Sequence, residues 1–225
     1  MTRWKIEPLD ETAEQELAAL PEDTRACFVH ISELLQRYGF LNVGLPHVDR
    51  IRGNLWEMRM RSQGGIASAF YFPARTRRLV VLGAFVKRTM KRPALEITRA
   101  LERAGQITSE PSTIRRKTVK DLHAEWLEKP GYAMAYAERK PEFKCASAII
   151  HARTQARLTQ SQLAERMNTT RRTIARLEGG RVMPSRRMLK RIGAATGLLV
   201  QIDIKAAKNN RRSLWDVPSR AQFSE

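Results

Sequence analysis

Between residues 55 and 85 the spacing of apolar residues changes from helical to every second residue. This change limits the fold more than any other feature of the chain. In residues 55–61 apolar and charged side chains alternate, which is the pattern of a strand with one buried face. A glycine turn at residues 63–65 leads to two further short strands, over residues 66–72 and 78–85. We therefore predict three consecutive strands in an antiparallel meander.

Helical spacing flanks this meander on both sides. Residues 11–20 and 22–38 carry apolar side chains at helical spacing and are separated by Pro21, while residues 93–104 form a third helix that Gly105 ends. The first unit is therefore expected to be a small α+β domain, with two helices, an antiparallel sheet of three to four strands and a C-terminal helix.

A short polar segment interrupted by Pro111 separates this unit from an all-helical remainder. We predict a first domain over residues 1–107, a linker over residues 108–116 and a second domain over residues 117–207. Residues 208–225 are polar and basic and are expected to form a loose tail. The chain is long enough for two small domains that each bury a modest core.

The second domain is expected to be all-α, with five to six helices and a short C-terminal strand over residues 198–204. Pro141 is placed in the first turn of a helix that continues over residues 142–156, because proline is tolerated there. Two shorter helices precede it, over residues 119–127 and 131–138. Residues 141–196 form the centre of this domain.

Two short helical segments joined by a tight turn lie within that centre. Thr159 and Gln162 form a capping box at the start of the first helix, and the second helix follows the turn at residues 168–170. Apolar side chains on the inner face of both helices are Leu163, Met167, Ile174 and Leu177. The lengths, the turn and the cap match a helix-turn-helix that docks in the major groove of DNA.

The outer face of the second helix is basic. Arginine binds guanine or phosphate through two parallel hydrogen bonds, and the N-terminus of a helix is a common phosphate contact. The residues predicted to contact duplex DNA are Gln160, Thr170, Arg171, Arg172, Thr173 and Arg176. The alternative is a small helical bundle whose basic face is only solvated.

The formal net charge of +18 favours a polyanionic partner, such as DNA, RNA or the ribosome, over a charge that serves solubility alone. The two cysteines, Cys27 and Cys145, match no metal or redox spacing, so we expect neither a metal nor a cofactor. No apolar run approaches the ~18 residues needed to cross a bilayer. We therefore expect a cytoplasmic protein without a membrane partner.

Residues 117–205 resemble known antitoxins. The strings Leu158-Thr159-Gln160 and Ile174-Ala175-Arg176-Leu177-Glu178-Gly179-Gly180-Arg181 resemble the XRE/Cro repressor family. Upstream, Asp121-Leu122-His123-Ala124-Glu125-Trp126 and Pro141-Glu142-Phe143 resemble the N-terminal part of HigA-type antitoxins. The resemblance implies a homodimer on palindromic operator DNA, and it implies a partner toxin.

Residues 20–107 resemble HigB-type toxins of the RelE/ParE superfamily, in the phage Gp49-like branch. The strings that carry this resemblance are Leu55-Trp56-Glu57-Met58-Arg59-Met60-Arg61, Phe70-Tyr71-Phe72 and Phe85-Val86-Lys87-Arg88-Thr89. The order of helices and strands predicted above agrees with that fold. The resemblance implies a small ribonuclease that cuts mRNA on the ribosome, although a few relatives poison gyrase.

In such a ribonuclease the 2′-hydroxyl of RNA attacks its own phosphate, cationic side chains stabilise the developing negative charge, and an acid and a base move the protons. The candidate catalytic residues are Arg59, Arg61, Tyr71, Lys87 and Lys91. Arg59 and Arg61 share one strand face because strands repeat every two residues. The alternative is that these cations only bind ribosomal RNA or are simply solvated.

Two departures from the toxin pattern bear on activity. Ser68 stands where the family usually has arginine, and Gly83 stands where it usually has histidine. Losing these groups weakens stabilisation of the transition state, so endoribonuclease activity is expected to be weakened or lost. The leading hypothesis is a toxin–antitoxin fusion whose C-terminal half neutralises the toxin and represses its own operon. The alternatives are a DNA-binding regulator with an inactive RelE-like interaction domain, and a basic two-domain binder without sequence preference.

Overall fold

The structure, a computed structural model, describes residues 3–63, 65–87, 94–107, 116–180 and 182–198. These residues form strands β1 (Lys5–Pro8), β2 (Val48–Arg52), β3 (Leu55–Ser62), β4 (Gly65–Ala74) and β5 (Arg78–Lys87). The helices are α1 (Glu11–Ala18), α2 (Glu22–Tyr38), α3 (Ala94–Ile107), α4 (Val119–Leu127), α5 (Pro130–Gln155), α6 (Gln160–Arg166), α7 (Arg171–Glu178) and α8 (Arg186–Thr196). The expected α+β class is confirmed. The strand predicted over residues 198–204 lies almost wholly outside the described residues.

The strands form one sheet in the order β1-β5-β4-β3-β2. The predicted meander of β3, β4 and β5 is confirmed, and both of its pairings are antiparallel. The sheet is wider than the expected three to four strands, because β2 pairs with β3 and β1 lies parallel to β5. These two edge strands have four and five residues, which is too short for their alternation to be recognised.

The alternation of side chains along β3 gives the sheet two different faces. Met58 and Met60 are buried in the core that the sheet forms with α2, whereas Arg59 and Arg61 lie on the opposite face. Helix α3 packs on that opposite face, in a cluster that includes Phe70 of β4. The C-terminal parts of β3 and β5, as far as the structure describes them, border a cavity on this same face.

Helix α5 is continuous from Pro130 to Gln155, which corrects the predicted break before Pro141. Proline lacks an N–H group, so the carbonyl of Ala137 loses its helical donor. Both Pro141 and Ala137 are exposed, so water can bond to that carbonyl. Tyr132 and Phe143 are buried on either side of the proline, and their packing holds both parts of the helix in line.

Helices α4 and α5 complete the core of the sheet unit. Phe143 and Ile150 of α5 belong to the same buried cluster as Phe28 of α2 and Met58 of β3. Ile149, on another side of α5, belongs to a separate cluster formed with α6, α7 and α8. The helix-turn-helix therefore has a core of its own, and α5 contributes to both cores.

We expect Ile150→Val to lower the free energy of unfolding by about 0.5–1.5 kcal/mol, because the lost methylene leaves a small void in the shared core. Circular dichroism and tryptophan fluorescence should shift together in a urea titration, since the side chain packs with both helix and sheet residues. Leu95→Val serves as the control, because Leu95 is 61% exposed. A shift in only one of the two signals would contradict a shared core.

Candidate nucleic-acid interface

A buried carboxylate lies on the face of the sheet that carries Arg59 and Arg61, and it holds the polar side chains around it in place. Glu57 of β3 is fully buried, and its Oε1 accepts hydrogen bonds from Ser68 Oγ at 2.6 Å and from Lys87 Nζ at 2.5 Å. Its Oε2 accepts from Arg59 Nε at 2.9 Å. Burying a charge is costly unless it is paired and hydrogen-bonded, and these three donors meet that requirement. Glu57 therefore fixes the positions of two of the predicted cations.

The predicted cations Arg59, Arg61 and Lys87 lie on the same face of the sheet. The strand register places Arg59 opposite Ser68 and Lys87 opposite Ile66. Arg59 also donates from Nη2 to Asp49 Oδ2 at 2.7 Å, and its side chain remains 33% exposed. Arg61 is exposed. Lys91 lies outside the described residues.

Tyr71 does not join these cations, which corrects its place among the candidate catalytic residues. It pairs with Trp56 in the register of β3 and β4, and therefore lies on the face that packs against α2. Its side chain is 1% exposed, and within the described residues its hydroxyl has no hydrogen-bond partner. Burial raises the pKa of this phenol well above its usual value.

Sequence reasoning missed Glu57 and Asp49. Glu57 stands two residues before Arg59, so the period of two already placed both side chains on one face. Its burial depends on the donors from β4 and β5, which the sequence pattern of β3 does not reveal. Asp49 belongs to β2, a strand that was not predicted.

Helix α7 presents the basic face predicted for DNA contact. Its N-cap is Thr170, whose Oγ1 accepts a hydrogen bond from the backbone N–H of Thr173 at 3.2 Å. Arg171, Arg172 and Arg176 are exposed, and within the described residues no hydrogen bond or ion pair engages their side chains. These three guanidinium groups are therefore available to an external anion.

The arginines of α7 and the cations of the sheet line one cavity of about 460 Å³. We name it the basic cavity, after the six cationic residues among the described residues that line it, Arg59, Arg61, Lys87, Arg171, Arg172 and Arg176. The other described residues that line it are apolar, and they are Leu45, Pro46, Ile66 and Ala175. The arginines predicted to bind DNA and the cations predicted to bind RNA thus border the same cavity.

Gln160 is not part of the basic face, which corrects its prediction as a DNA contact. It is 6% exposed, and its Nε2 donates to the carbonyl of Leu45 and to Glu178 Oε2, both at 2.8 Å. Both hydrogens of the amide are thereby used inside the protein. Gln160 begins α6 as predicted, but its side chain joins the two halves of the chain.

Residues 42–47 form a loop between α2 and β2 that contacts the helix-turn-helix, and we name it the docking loop. The carbonyl of Asn42 accepts from Arg153 Nη2 at 2.6 Å, and His47 Nε2 donates to the carbonyl of Glu178 at 3.1 Å. Arg153 and Glu178 are themselves a buried ion pair, with 2.5 Å between Nε and Oε1. A side chain at Gly179 would bring Cβ within 2.7 Å of Pro46 Cγ, so the loop lies directly against the end of α7.

Comparison with known families divides the chain in the same order. Residues 15–104 match the family described as phage-derived protein Gp49-like, and residues 150–201 match a helix-turn-helix domain. The chain has the architecture of a fused toxin–antitoxin protein. None of the curated proteins compared with the chain matches it.

In this fusion, the basic cavity has one wall from each matched segment. Arg59 and Lys87 lie within the Gp49-like segment, and Arg172 lies within the helix-turn-helix segment. Helix α4 and most of α5 fall between the two matches and supply the packing against α2. The two matched segments are therefore held together by side-chain contacts as well as by the covalent chain.

Two negative findings concern only the described part of the chain. None of its helices combines the length and the apolar character that a membrane crossing requires. Its His, Cys, Asp and Glu residues form no group of three or more arranged to hold a metal ion.

Proposed function

We propose that the protein is a self-contained toxin–antitoxin pair that acts in the cytoplasm and regulates its own synthesis. Its HigA-like, XRE-type helix-turn-helix binds operator DNA, and its HigB-like domain binds mRNA on the ribosome. The observation that carries the proposal is the basic cavity, where the cations of a Gp49-like segment face the arginines of a helix-turn-helix segment.

The DNA-binding part of the proposal rests on α7. Arg171 and Arg172 lie in its first turn, where recognition helices contact base edges and phosphates. Thr170 and Thr173 are occupied with capping the helix and keep it in place. The protein would bind a palindromic operator as a homodimer, because paired recognition helices reach successive major grooves on one side of the duplex.

The neutralising part of the proposal rests on the contacts between the halves. The docking loop holds α7 over the cations of the sheet through three hydrogen bonds to Arg153, Gln160 and Glu178. Because both halves belong to one chain, their effective concentration is high and the contact is intramolecular. The helix-turn-helix would therefore restrict the access of other molecules to the cations of the sheet.

The RNA-binding part of the proposal rests on Arg59, Arg61 and Lys87. Their positive charges would bind a phosphate and stabilise the negative charge that develops when a 2′-hydroxyl attacks it. Glu57 orients Arg59 and Lys87 for this task. Lys87 thus supplies a cation beside Ser68, where the family usually has an arginine on β4.

A second function, that of a regulator whose HigB-like domain is inactive, is favoured by a different observation. Proton transfer needs an acid and a base beside the phosphate. Glu57 is fully buried and accepts three hydrogen bonds, and Tyr71 is buried on the other face. In this case the domain would serve as an interaction module.

The two functions are separated by two measurements on the purified full-length chain. One is a gel shift on the promoter of its own gene, and the other is cleavage of mRNA on programmed ribosomes, detected by primer extension. A promoter shift with cleavage supports the active fusion, and a shift without cleavage supports the inactive regulator. Equal affinity for the promoter and for unrelated duplexes would contradict both, because each requires operator recognition.

A further inference from the structure

The basic cavity brings together residues that the proposed function assigns to two different nucleic acids. Arg61 and Lys87 belong to the sheet, while Arg172 and Arg176 belong to α7. Its volume of about 460 Å³ lies within the range of roughly 300–1,000 Å³ that is typical of pockets for a single small ligand. Among the described residues that line it, none is acidic.

The positive charge of the cavity is balanced unequally between its two walls. On the sheet, Arg59 is paired with Glu57 and Asp49, and Lys87 is paired with Glu57. On α7, no carboxylate in the described part of the chain pairs with Arg172 or Arg176. An anion between the walls would bond to these free guanidinium groups and reduce the repulsion between walls of the same charge.

Duplex DNA does not fit this cavity. A recognition helix has to enter a major groove about 12 Å wide, with a strand backbone on either side of it. Here the sheet lies on the same side of α7 as the arginines, and the docking loop holds it there. A duplex can reach α7 only after the two walls separate.

A single strand meets no such obstacle. Its phosphates are accessible one at a time, and its unpaired bases expose flat apolar faces whose contact with apolar protein surface is favourable. Leu45, Pro46 and Ile66 provide an apolar surface beside the cations. The mixture of cationic and apolar lining therefore suits a segment of single-stranded nucleic acid, and the sheet wall is the one proposed to bind mRNA.

We infer that the basic cavity is one binding site for single-stranded RNA, in which the arginines of α7 and the cations of the sheet hold the same phosphates. This inference rests on the proposed function, because it takes the sheet wall to be the RNA-binding face. It deepens that function in one respect: RNA and operator DNA compete for the arginines of α7. The antitoxin half would thus be part of the RNA site rather than only its cover.

The test uses the full-length chain and a short fluorescein-labelled 2′-O-methyl RNA, which cannot be cleaved through its 2′-hydroxyl. Binding is measured by fluorescence anisotropy over a range of salt concentrations. We expect Arg61→Gln and Arg176→Gln each to weaken binding about tenfold, the value of a hydrogen bond to a charged group. Each should also reduce the slope of log K against log salt by about 0.7, since one phosphate contact is lost.

Arg75→Gln is the matched control. Arg75 is an exposed arginine in the turn between β4 and β5, at the opposite end of β5 from Lys87. The substitution removes the same charge from the same sheet, but at a distance far beyond the Debye length of about 10 Å. We expect it to change RNA affinity by less than about twofold.

The operator measurements keep this inference separate from the proposed function. Arg61→Gln should leave the operator gel shift unchanged, Arg176→Gln should weaken it, and unlabelled operator should displace the labelled RNA. Normal RNA affinity in Arg176→Gln would overturn the inference, as would a ternary complex of RNA, operator and protein. A chain that binds RNA as expected but shifts no operator would instead refute operator binding.

Discussion

Replacing Arg171 and Arg172 together by alanine is expected to abolish specific binding to the operator at physiological salt. A specific arginine contact contributes roughly 1–3 kcal/mol, so the double change is expected to cost about 2–6 kcal/mol, or roughly 30-fold to 20,000-fold in Kd. Both side chains are exposed and have no partner among the described residues, so their removal should leave the fold intact. Alanine also favours the helix.

The measurement is a gel shift and footprint on the promoter of the protein's own gene. Arg52→Ala with Arg75→Ala is the control, because it removes two exposed arginines from the sheet half and changes the net charge equally. Thermal unfolding of all variants should be alike. An unchanged footprint in the α7 variant would show that α7 is not the recognition helix.

Arg153→Ala is expected to produce the largest loss of stability, about 3–5 kcal/mol. The substitution leaves the carboxylate of Glu178 buried without its ion-pair partner, and both side chains are at least 96% buried in the native protein, with exposures of 4% and 1%. It also removes the donor to the carbonyl of Asn42, which is one of the bonds of the docking loop. Urea unfolding of the full chain measures the loss.

A double variant shows whether this loss comes from the unpaired charge. Replacing Arg153 and Glu178 together by methionine removes both charges and keeps most of the volume, so much of the stability should return. Equal instability of the single and double variants would instead assign the loss to packing or to the docking loop. A single variant that loses less than about 1 kcal/mol would contradict the importance of the pair.

The sequence was informative wherever the decisive interactions were local. The alternation in residues 55–61 predicted both the strand and the common face of Arg59 and Arg61. The capping box of Thr159 and Gln162 is present, and α7 begins at Arg171 after Thr170. In each case the responsible residues lie within a few positions of one another, so the pattern could be read directly.

Interactions between distant parts of the chain could not be predicted from the sequence pattern. Gln160 has the position of a DNA contact in the sequence, but its amide bonds to Leu45, which lies 115 residues earlier. The continuity of α5 through Pro141 depends on packing against α2, and tertiary packing of this kind overrides a local preference. Tyr71 was assigned by its chemistry alone. The register of β4 and β5 places Lys87 opposite Ile66, which stands five residues before Tyr71, so Tyr71 and Lys87 lie on opposite faces of the sheet.

The position of α5 in both cores has a consequence for the newly made protein. A ribosome translates the Gp49-like half first, and the part of α2 that packs against α5 stays uncovered until Phe143 and Ile150 have been added. At about 5–20 residues per second, the interval after Ile107 lasts roughly 2–9 seconds for each copy. Every round of translation therefore passes through a nascent Gp49-like half without the helix-turn-helix half, tethered to the same ribosome that its proposed activity would attack.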